Sequence, residues 1–132
     1  MCMMDSYVEC VELLRSAIQK AKIPHKCREC FRVIDPGEQY HVDAFVFDGE
    51  FTNHKTCAHC MMVRNWLQDE CGGFLYGGVE EDVREHVFNH DGYGYELYRA
   101  VVGMQWKWRT RSGRLLPIPT NIRTTDELRG KE

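Results

Sequence analysis

Two C-x-x-C pairs, separated by an insert of hairpin size, constrain this chain more than any other feature. They are Cys27 with Cys30, and Cys57 with Cys60. Two residues between paired cysteines let a tight turn direct both sulfurs at one ion, and a second pair completes a tetrahedron. One pair would be weak evidence, but two in this arrangement indicate a four-coordinate structural zinc site. We therefore expect one Zn²⁺, and not a redox pair, because no βαβ pattern surrounds the cysteines.

The residues around the second pair predict a β-hairpin followed by a helix. Alternating apolar residues indicate a strand over residues 39–47, and Asp48-Gly49 is a dipeptide preferred in two-residue hairpin turns. Residues 50–53 would form the return strand. From Cys57 onward the apolar residues recur at helical spacing, and a helix N-terminus favours negative thiolates. A turn that carries the first cysteine pair, then a hairpin, then a helix is an order typical of a treble-clef zinc finger.

The fourth ligand has one alternative, His54. The string C-x2-C, twenty-three residues, then H-x2-C-x2-C resembles the first finger of a LIM domain, in which the histidine and the next cysteine complete the first site. A second LIM site would continue at position 63, which is Val63, so the resemblance stops there. We expect Cys60 to be the fourth ligand and His54 to be its substitute.

Cysteine usage and hydropathy bear on the compartment. Besides the four expected ligands the chain has Cys2, Cys10 and Cys71, an odd number that argues against a secreted disulfide framework and for a reducing cytoplasm. The N-terminus lacks a secretory pattern, and no apolar run approaches membrane-spanning length. We expect a soluble cytoplasmic protein with no membrane partner.

The 132 residues divide into four segments of one compact domain. Residues 1–23 are predicted to be an amphipathic helix, because Ser6 and Glu9 match a capping box and apolar residues recur at steps of three and four. Residues 24–72 form the zinc module, residues 73–114 a helical part packed on it, and residues 115–132 an extended tail. The predicted fold class is α+β, a small treble-clef-like zinc finger embedded among three additional helices.

Two charged clusters are candidate partner-binding surfaces. Residues 68–96 contain eight acidic residues and one basic residue, whereas residues 97–132 contain eight basic and three acidic ones. Acids at a helix start also complement its dipole, so the first cluster has a purely structural alternative. In the second cluster, four cations lie close in sequence to two indoles, an arrangement that can contact phosphates and stack on bases. The alternative is that the indoles belong to the core. The candidate residues are Glu80, Glu81, Asp82, Glu85, Trp106, Lys107, Trp108, Arg109, Arg111 and Arg114.

A second metal site is an open alternative. His86 and His90 lie four residues apart on a predicted helix and share a face. With Cys71 as a third ligand they would hold a second ion, but histidines near a helix C-terminus are also favoured by the dipole alone. The H-E-x-x-H metalloprotease pattern is absent.

The motifs together are similar to those of small treble-clef-like zinc proteins encoded by bacteriophages and prophages. The motifs that carry the likeness are His25-Lys26-Cys27, Pro36-Gly37-Glu38, Asp48-Gly49, Lys55-Thr56-Cys57, Cys71-Gly72-Gly73 and Glu81-Asp82 with Glu85-His86. The resemblance covers residues 24–90. It implies a phage setting, in which small proteins often bind and disable a host machine such as a CRISPR–Cas effector.

Catalysis is the least supported class of function. A zinc ion held by four thiolates has no open position for water or substrate. A nuclease of the HNH type is a remote alternative that depends on His41, Asn53 and His54. We expect a non-enzymatic, zinc-stabilised protein-binding module that acts on a host protein or complex, and the alternative is a nucleic-acid-binding protein that uses residues 106–114.

Overall fold

A computed structural model describes residues 11–89, 95–120 and 122–123. The described part is an α+β structure with antiparallel sheets and three helices, which confirms the predicted α+β class. Its elements in chain order are β1 (Val11–Lys20), β2 (His25–Lys26), β3 (Val33–Ile34), β4 (Gln39–Phe47), β5 (Glu50–Cys57), α1 (Ala58–Cys71), α2 (Val79–Asn89) and α3 (Tyr95–Gln105).

The larger sheet has the order β1-β4-β5, and the short strands β2 and β3 pair separately. The predicted hairpin is present: Asp48 and Gly49 have φ angles of 54° and 82°. A type I′ turn requires positive φ at both central residues, which is why Asp-Gly fits there. The return strand β5 is longer than the predicted residues 50–53 and ends at Cys57. The second cysteine pair therefore begins where the hairpin ends.

The predicted N-terminal helix is wrong over its described residues. Residues 11–20 form strand β1, which pairs with β4 in antiparallel register, for example Ser16 with Asp43, and contains an irregularity between Leu13 and Arg15. Leu14 and Ile18 lie four residues apart, a spacing that fits a strand period of two as well as a helical turn. Backbone pairing with β4 then decides between the two. The capping-box residues lie outside the described part of the chain.

Helix α1 follows the hairpin without a loop and ends where the sequence predicts. Gly72 has φ 78°, and its N–H donates to the carbonyl of Gln68 at 3.0 Å. Left-handed glycine in this position is a common helix stop. Two further helices, α2 and α3, pack beside α1 in the described ranges, where three additional helices were expected. The buried apolar side chains between the helices are those of Val63, Trp66, Leu67, Val79, Val83, Leu97, Ala100, Val101 and Met104.

The segment after α3 returns to the helices. A bridge joins Arg109 to Leu115, and the Trp66 indole N–H donates to the carbonyl of Arg123 at 2.9 Å. The guanidinium of Arg123 lies 2.7 Å from the Glu96 carboxylate. Part of the predicted extended tail is therefore held against α1 and α3.

Candidate metal centre

The four predicted cysteine ligands come together in one buried cluster. Their sulfurs all lie within 4.8 Å of one another. Cys27 and Cys30 belong to the turn between β2 and β3, Cys57 ends β5, and Cys60 lies in the first turn of α1. None is more than 5% exposed. Within the ranges described above, no other group of three metal-ligating side chains is this close.

The spacing and chemistry of the cluster fit a tetrahedral metal ion. A Zn–S bond of about 2.3 Å places the sulfurs of a tetrahedral site about 3.8 Å apart. The sulfurs of Cys30 and Cys57 are separated by 3.9 Å. Soft thiolates in tetrahedral geometry are the donors that zinc selects. The four cysteines can therefore hold a zinc ion, and all four coordination positions would be filled by protein.

Backbone amides support the cluster as well. The N–H groups of Glu29 and Cys57 donate to the Cys27 sulfur at 3.4 and 3.3 Å. Phe31, with φ 65°, closes the turn so that its own N–H reaches the carbonyl of Cys27 at 3.0 Å. N–H donors stabilise the charged form of a thiol, so this turn favours a thiolate at Cys27. Only the cysteine spacing of this arrangement is visible in the sequence.

The four thiols shift one another's pKa in opposite directions. Hydrogen bonds from Cys27, Cys30 and Cys60 lower the pKa of Cys57. Burial, followed by hydrogen bonds with the other three sulfurs, raises the pKa of Cys60. Several thiolates cannot share so small a space without a compensating positive charge. A divalent cation at the centre would supply that charge.

His54 is not part of the cluster. Its Nε2 lies 2.8 Å from a carboxylate oxygen of Glu29, and both side chains are buried. The same carboxylate accepts the backbone N–H groups of Gly77 at 2.9 Å and of Val79 at 3.2 Å. These contacts favour Cys60 over His54 as the fourth ligand. They also give Glu29, which the sequence did not single out, a specific position at the start of α2.

A second charged group, Arg32, also lies near the cluster. Its guanidinium binds the Glu38 carboxylate at 2.7 and 3.2 Å and lies 3.3 Å from Nδ1 of His59. Burial alone would lower the pKa of Arg32, but the hydrogen bond to Glu38 and the charge of Cys57 raise it above its ordinary value. A permanent cation here partly neutralises the thiolates. His59 is buried, and its Nε2 lies 2.6 Å from the carbonyl of Leu116.

Trp108 belongs to the metal centre and not to the surface. Its indole N–H donates to the Cys60 sulfur at 3.3 Å, and only 4% of the residue is exposed. Lys107 and Trp108 both have φ 57°, so the chain reverses directly after α3. The reversal lays the indole against Gly103, where a Cβ atom would overlap the ring. The prediction of Trp108 as a partner-binding residue is therefore wrong, and its core alternative is correct.

The remaining basic candidates stay at the surface. Trp106 is 68% exposed. Lys107, Arg111 and Arg114 are exposed as well, and half-buried Arg109 lies 3.4 Å from the Asp35 carboxylate.

The predicted acidic surface is smaller than expected. Asp82 is fully buried, with a carboxylate oxygen 3.3 Å from Nδ1 of His86, so it is not a surface residue. Glu80 is half-buried and binds Arg84 on its own helix at 3.2 Å. Glu81 is exposed and Glu85 is half-buried. Four adjacent surface acids are thus reduced to three, of which one is already paired.

The proposed second metal site lacks a suitable third ligand among the described residues. The Cys71 sulfur lies 3.5 Å from Nε2 of His86, but Cys71 is disulfide-bonded and so offers no thiolate. A disulfide at this position differs from the free thiols that are expected in a reducing cytoplasm. Nδ1 of His86 lies 2.8 Å from the backbone carbonyl of Asp82. His90 lies outside the described residues.

A serine, a histidine and an aspartate also meet on the sheet. His41 Nε2 lies 2.5 Å from the Ser16 hydroxyl and 3.2 Å from Asp43, and the same hydroxyl donates to Asp43 at 2.7 Å. A catalytic triad requires the serine and the aspartate on opposite ring nitrogens, whereas both are at Nε2 here. Asp43 also forms a 2.7 Å ion pair with Arg64. The cluster therefore joins β1, β4 and α1 and is not arranged for nucleophilic catalysis.

Comparisons with protein-family models, with curated proteins and with solved structures found no match to this chain. None of the helices in the described ranges has the length and apolar character needed to cross a membrane.

Proposed function

We propose that this chain is a non-enzymatic binding module, folded around one structural zinc ion, which acts by contacting a protein partner. The buried cluster of four cysteines supports the structural role, because four thiolates leave no position for water or substrate. The order of cysteine turn, hairpin and helix supports a treble-clef-like zinc finger. Zinc binding in such a small unit contributes directly to the free energy of folding.

The observation that carries the proposal is the exposed edge of the larger sheet. Strand β1 pairs with β4 on one side, and no described strand pairs with its other side. The edge exposes Leu13, Leu14 and Ile18, which are 53%, 52% and 68% accessible. Soluble proteins usually protect long edge strands with charges or proline. Strand β1 contains the charged residues Glu12, Arg15 and Lys20, but its three exposed apolar side chains lie between them. Such an edge favours an extended segment of a partner, which adds to the sheet as a further strand.

The resemblance to phage-encoded zinc proteins directs the search for that partner to a bacterial host protein. The proposed test is a pull-down from bacterial lysate with tagged chain, with and without nuclease, read by mass spectrometry. The native chain is expected to retain one host protein at stoichiometric amount after nuclease treatment. Ile18→Lys, which places a charge on the edge, is expected to lose it.

Phe88→Lys is the matched control, since Phe88 is 66% exposed but lies on α2. It should retain the partner. Equal retention by both variants, or equal loss, would contradict the role of the edge. Light scattering of the purified chain detects the remaining alternative, in which the edge pairs with a second copy and no host protein is needed.

A further inference from the structure

A groove of about 990 Å³ lies between helix α3 and the extended residues 115–120. This volume is at the upper end of the range of about 300–1,000 Å³ that is usual for ligand sites. Val102 and Gly103 of α3 contribute to one wall, and Pro117 and Pro119 contribute to the other. The groove is separate from the buried cysteines and from the edge of β1.

Three aromatic side chains line the groove with their rings exposed. Tyr95, Tyr98 and Trp106 are 71%, 47% and 68% accessible. The rings of Tyr95 and Tyr98 are stacked, with centroids 6.2 Å apart. Their exposure shows that these rings contribute little to the core, in contrast to buried Trp108. Exposed aromatic faces along a groove are the surfaces on which unpaired bases stack.

Positive charge surrounds the same groove. Arg99, Arg109 and Arg111 line it. Among the described residues that line the groove, Glu96 is the one acidic residue, and it is ion-paired with Arg123. Arg111 has no ion-pair partner within the described ranges, and the same is true of the nearby Lys107 and Arg114. The whole chain has a net charge of −3, so this excess of cations is local. Such a concentration of cations attracts phosphates.

We propose that this groove binds a short stretch of single-stranded nucleic acid, with bases on Trp106 and the two tyrosines and phosphates on Arg99 and Arg111. A duplex is a poorer occupant, because its base faces are already stacked. An acidic peptide would use the arginines but not three exposed rings. The inference goes beyond the protein-binding role and does not depend on it.

The first test is fluorescence anisotropy with a labelled oligothymidylate of about twelve nucleotides, a length within the site sizes of single-strand binders. The zinc-loaded native chain is expected to bind the probe at low salt. Trp106→Ala is expected to weaken binding about tenfold, as for the loss of one stacked base, and Trp106→Phe should restore most of it. Phe88→Ala, equally exposed but outside the groove, should bind like the native chain.

The second test is the salt dependence of binding. Arg111→Ala should reduce the slope of log K against log salt by about 0.7, the value for one phosphate contact on a single strand. Lys22→Ala, which removes an exposed cation outside the groove, should leave the slope unchanged. Circular dichroism and zinc content should be unaffected in all these variants, because each changed side chain is exposed.

A competition experiment distinguishes between the possible occupants of the groove. Unlabelled single strands, DNA or RNA, should displace the probe more strongly than a duplex or polyglutamate of equal charge. No binding at low salt, equal binding of the duplex, or polyglutamate binding with the same dependence on Trp106 would each overturn the proposal. Ile18→Lys should leave probe binding unchanged, so failure of the edge as a protein site and failure of the groove as a nucleic-acid site are distinguishable.

Discussion

At the scale of single residues, Glu29 joins the cysteine turn to helix α2. Its buried carboxylate receives two backbone N–H groups near the helix start and lies 2.8 Å from the His54 ring. An isolated buried carboxylate would be strongly unfavourable, but amide donors and the positive end of a helix dipole offset that cost. Glu29, one of the two residues between the first two ligands, thus holds a segment about fifty positions away in the chain.

The position of His54 leads to a prediction about the fourth metal ligand. Cys60→Ser should lose tightly bound zinc and cooperative unfolding, because it removes a thiolate from a buried site. His54→Ala should keep one zinc per chain but lose about 1–3 kcal/mol of stability, since it leaves part of the Glu29 carboxylate unpaired. Elemental analysis of metal content, together with urea unfolding, measures both quantities. Zinc loss in His54→Ala with zinc retention in Cys60→Ser would reverse the assignment.

His86 leads to a prediction about pH. The side chain of Asp82 raises the pKa of His86, and burial opposes the shift. Because the folded pKa lies above the unfolded value of about 6.5, the protonated ring stabilises the fold below that pH, and the contribution is lost as pH rises through the folded pKa. The free energy of unfolding should therefore differ more between the native chain and His86→Gln at about pH 5.5 than at about pH 8.5.

The comparison with His86→Gln is needed because zinc affinity changes in the opposite direction. Thiolates form more readily as pH rises, so zinc stabilises both chains more at high pH, and taking the difference between them removes that effect. Urea unfolding at a series of pH values provides the measurement. A difference that grows with rising pH would contradict the role of the protonated ring.

At the scale of elements, the hairpin and α1 could be predicted because their signals are local. Asp48-Gly49 specifies a turn, and the ligand spacing specifies a cysteine turn, whatever the rest of the chain does. Strand β1 could not be predicted in the same way. Its apolar spacing fits a helix and a strand equally, and the choice depends on backbone pairing with partner residues that begin at Gln39, beyond the first cysteine pair.

The contact of Trp108 with Cys60 could not be predicted from the sequence for a related reason. It joins residues forty-eight positions apart and depends on a chain reversal through two non-glycine residues with positive φ. Non-glycine residues with positive φ are uncommon, and no local sequence pattern predicts them here. The sequence therefore indicated the ligands of the metal centre but not the side chains that surround them.

The end of α3 gives a prediction in which two effects oppose each other. Glycine within a helix is about 1 kcal/mol less favourable than alanine, so Gly103→Ala should stabilise α3 by that amount. The new methyl group would overlap the Trp108 ring, and overpacking of this kind costs about 1–3 kcal/mol. We expect net destabilisation in urea unfolding. The loss should be smaller in a Trp108→Phe background, whose ring is smaller, whereas equal losses in the two backgrounds would exclude the collision as the cause.

At the scale of the whole molecule, the cysteine cluster is connected to both walls of the groove. Trp108 lies directly after α3, and its indole N–H donates to the Cys60 sulfur. The backbone carbonyl of Trp108 accepts the N–H of Leu116 at 2.7 Å. His59, next to Cys60, contacts the carbonyl of the same Leu116. The metal centre therefore holds the end of the helix and the start of the extended wall in one position.

This connection predicts that zinc binding and occupation of the groove depend on each other. Trp108→Phe keeps all four ligands but removes the N–H donor at Cys60, and loss of such a supporting contact typically weakens metal affinity about tenfold or more. The expected result in a chelator competition is weaker zinc binding by Trp108→Phe, together with weaker binding of the oligothymidylate.

Because coupling between two sites is reciprocal, saturating oligothymidylate should raise the zinc affinity of the native chain. Trp106→Ala is the control: its zinc affinity without oligonucleotide should match that of the native chain, and about tenfold more oligonucleotide should be needed to raise it. Identical zinc affinity with and without the oligonucleotide, in a chain that binds it, would show that the two sites are independent.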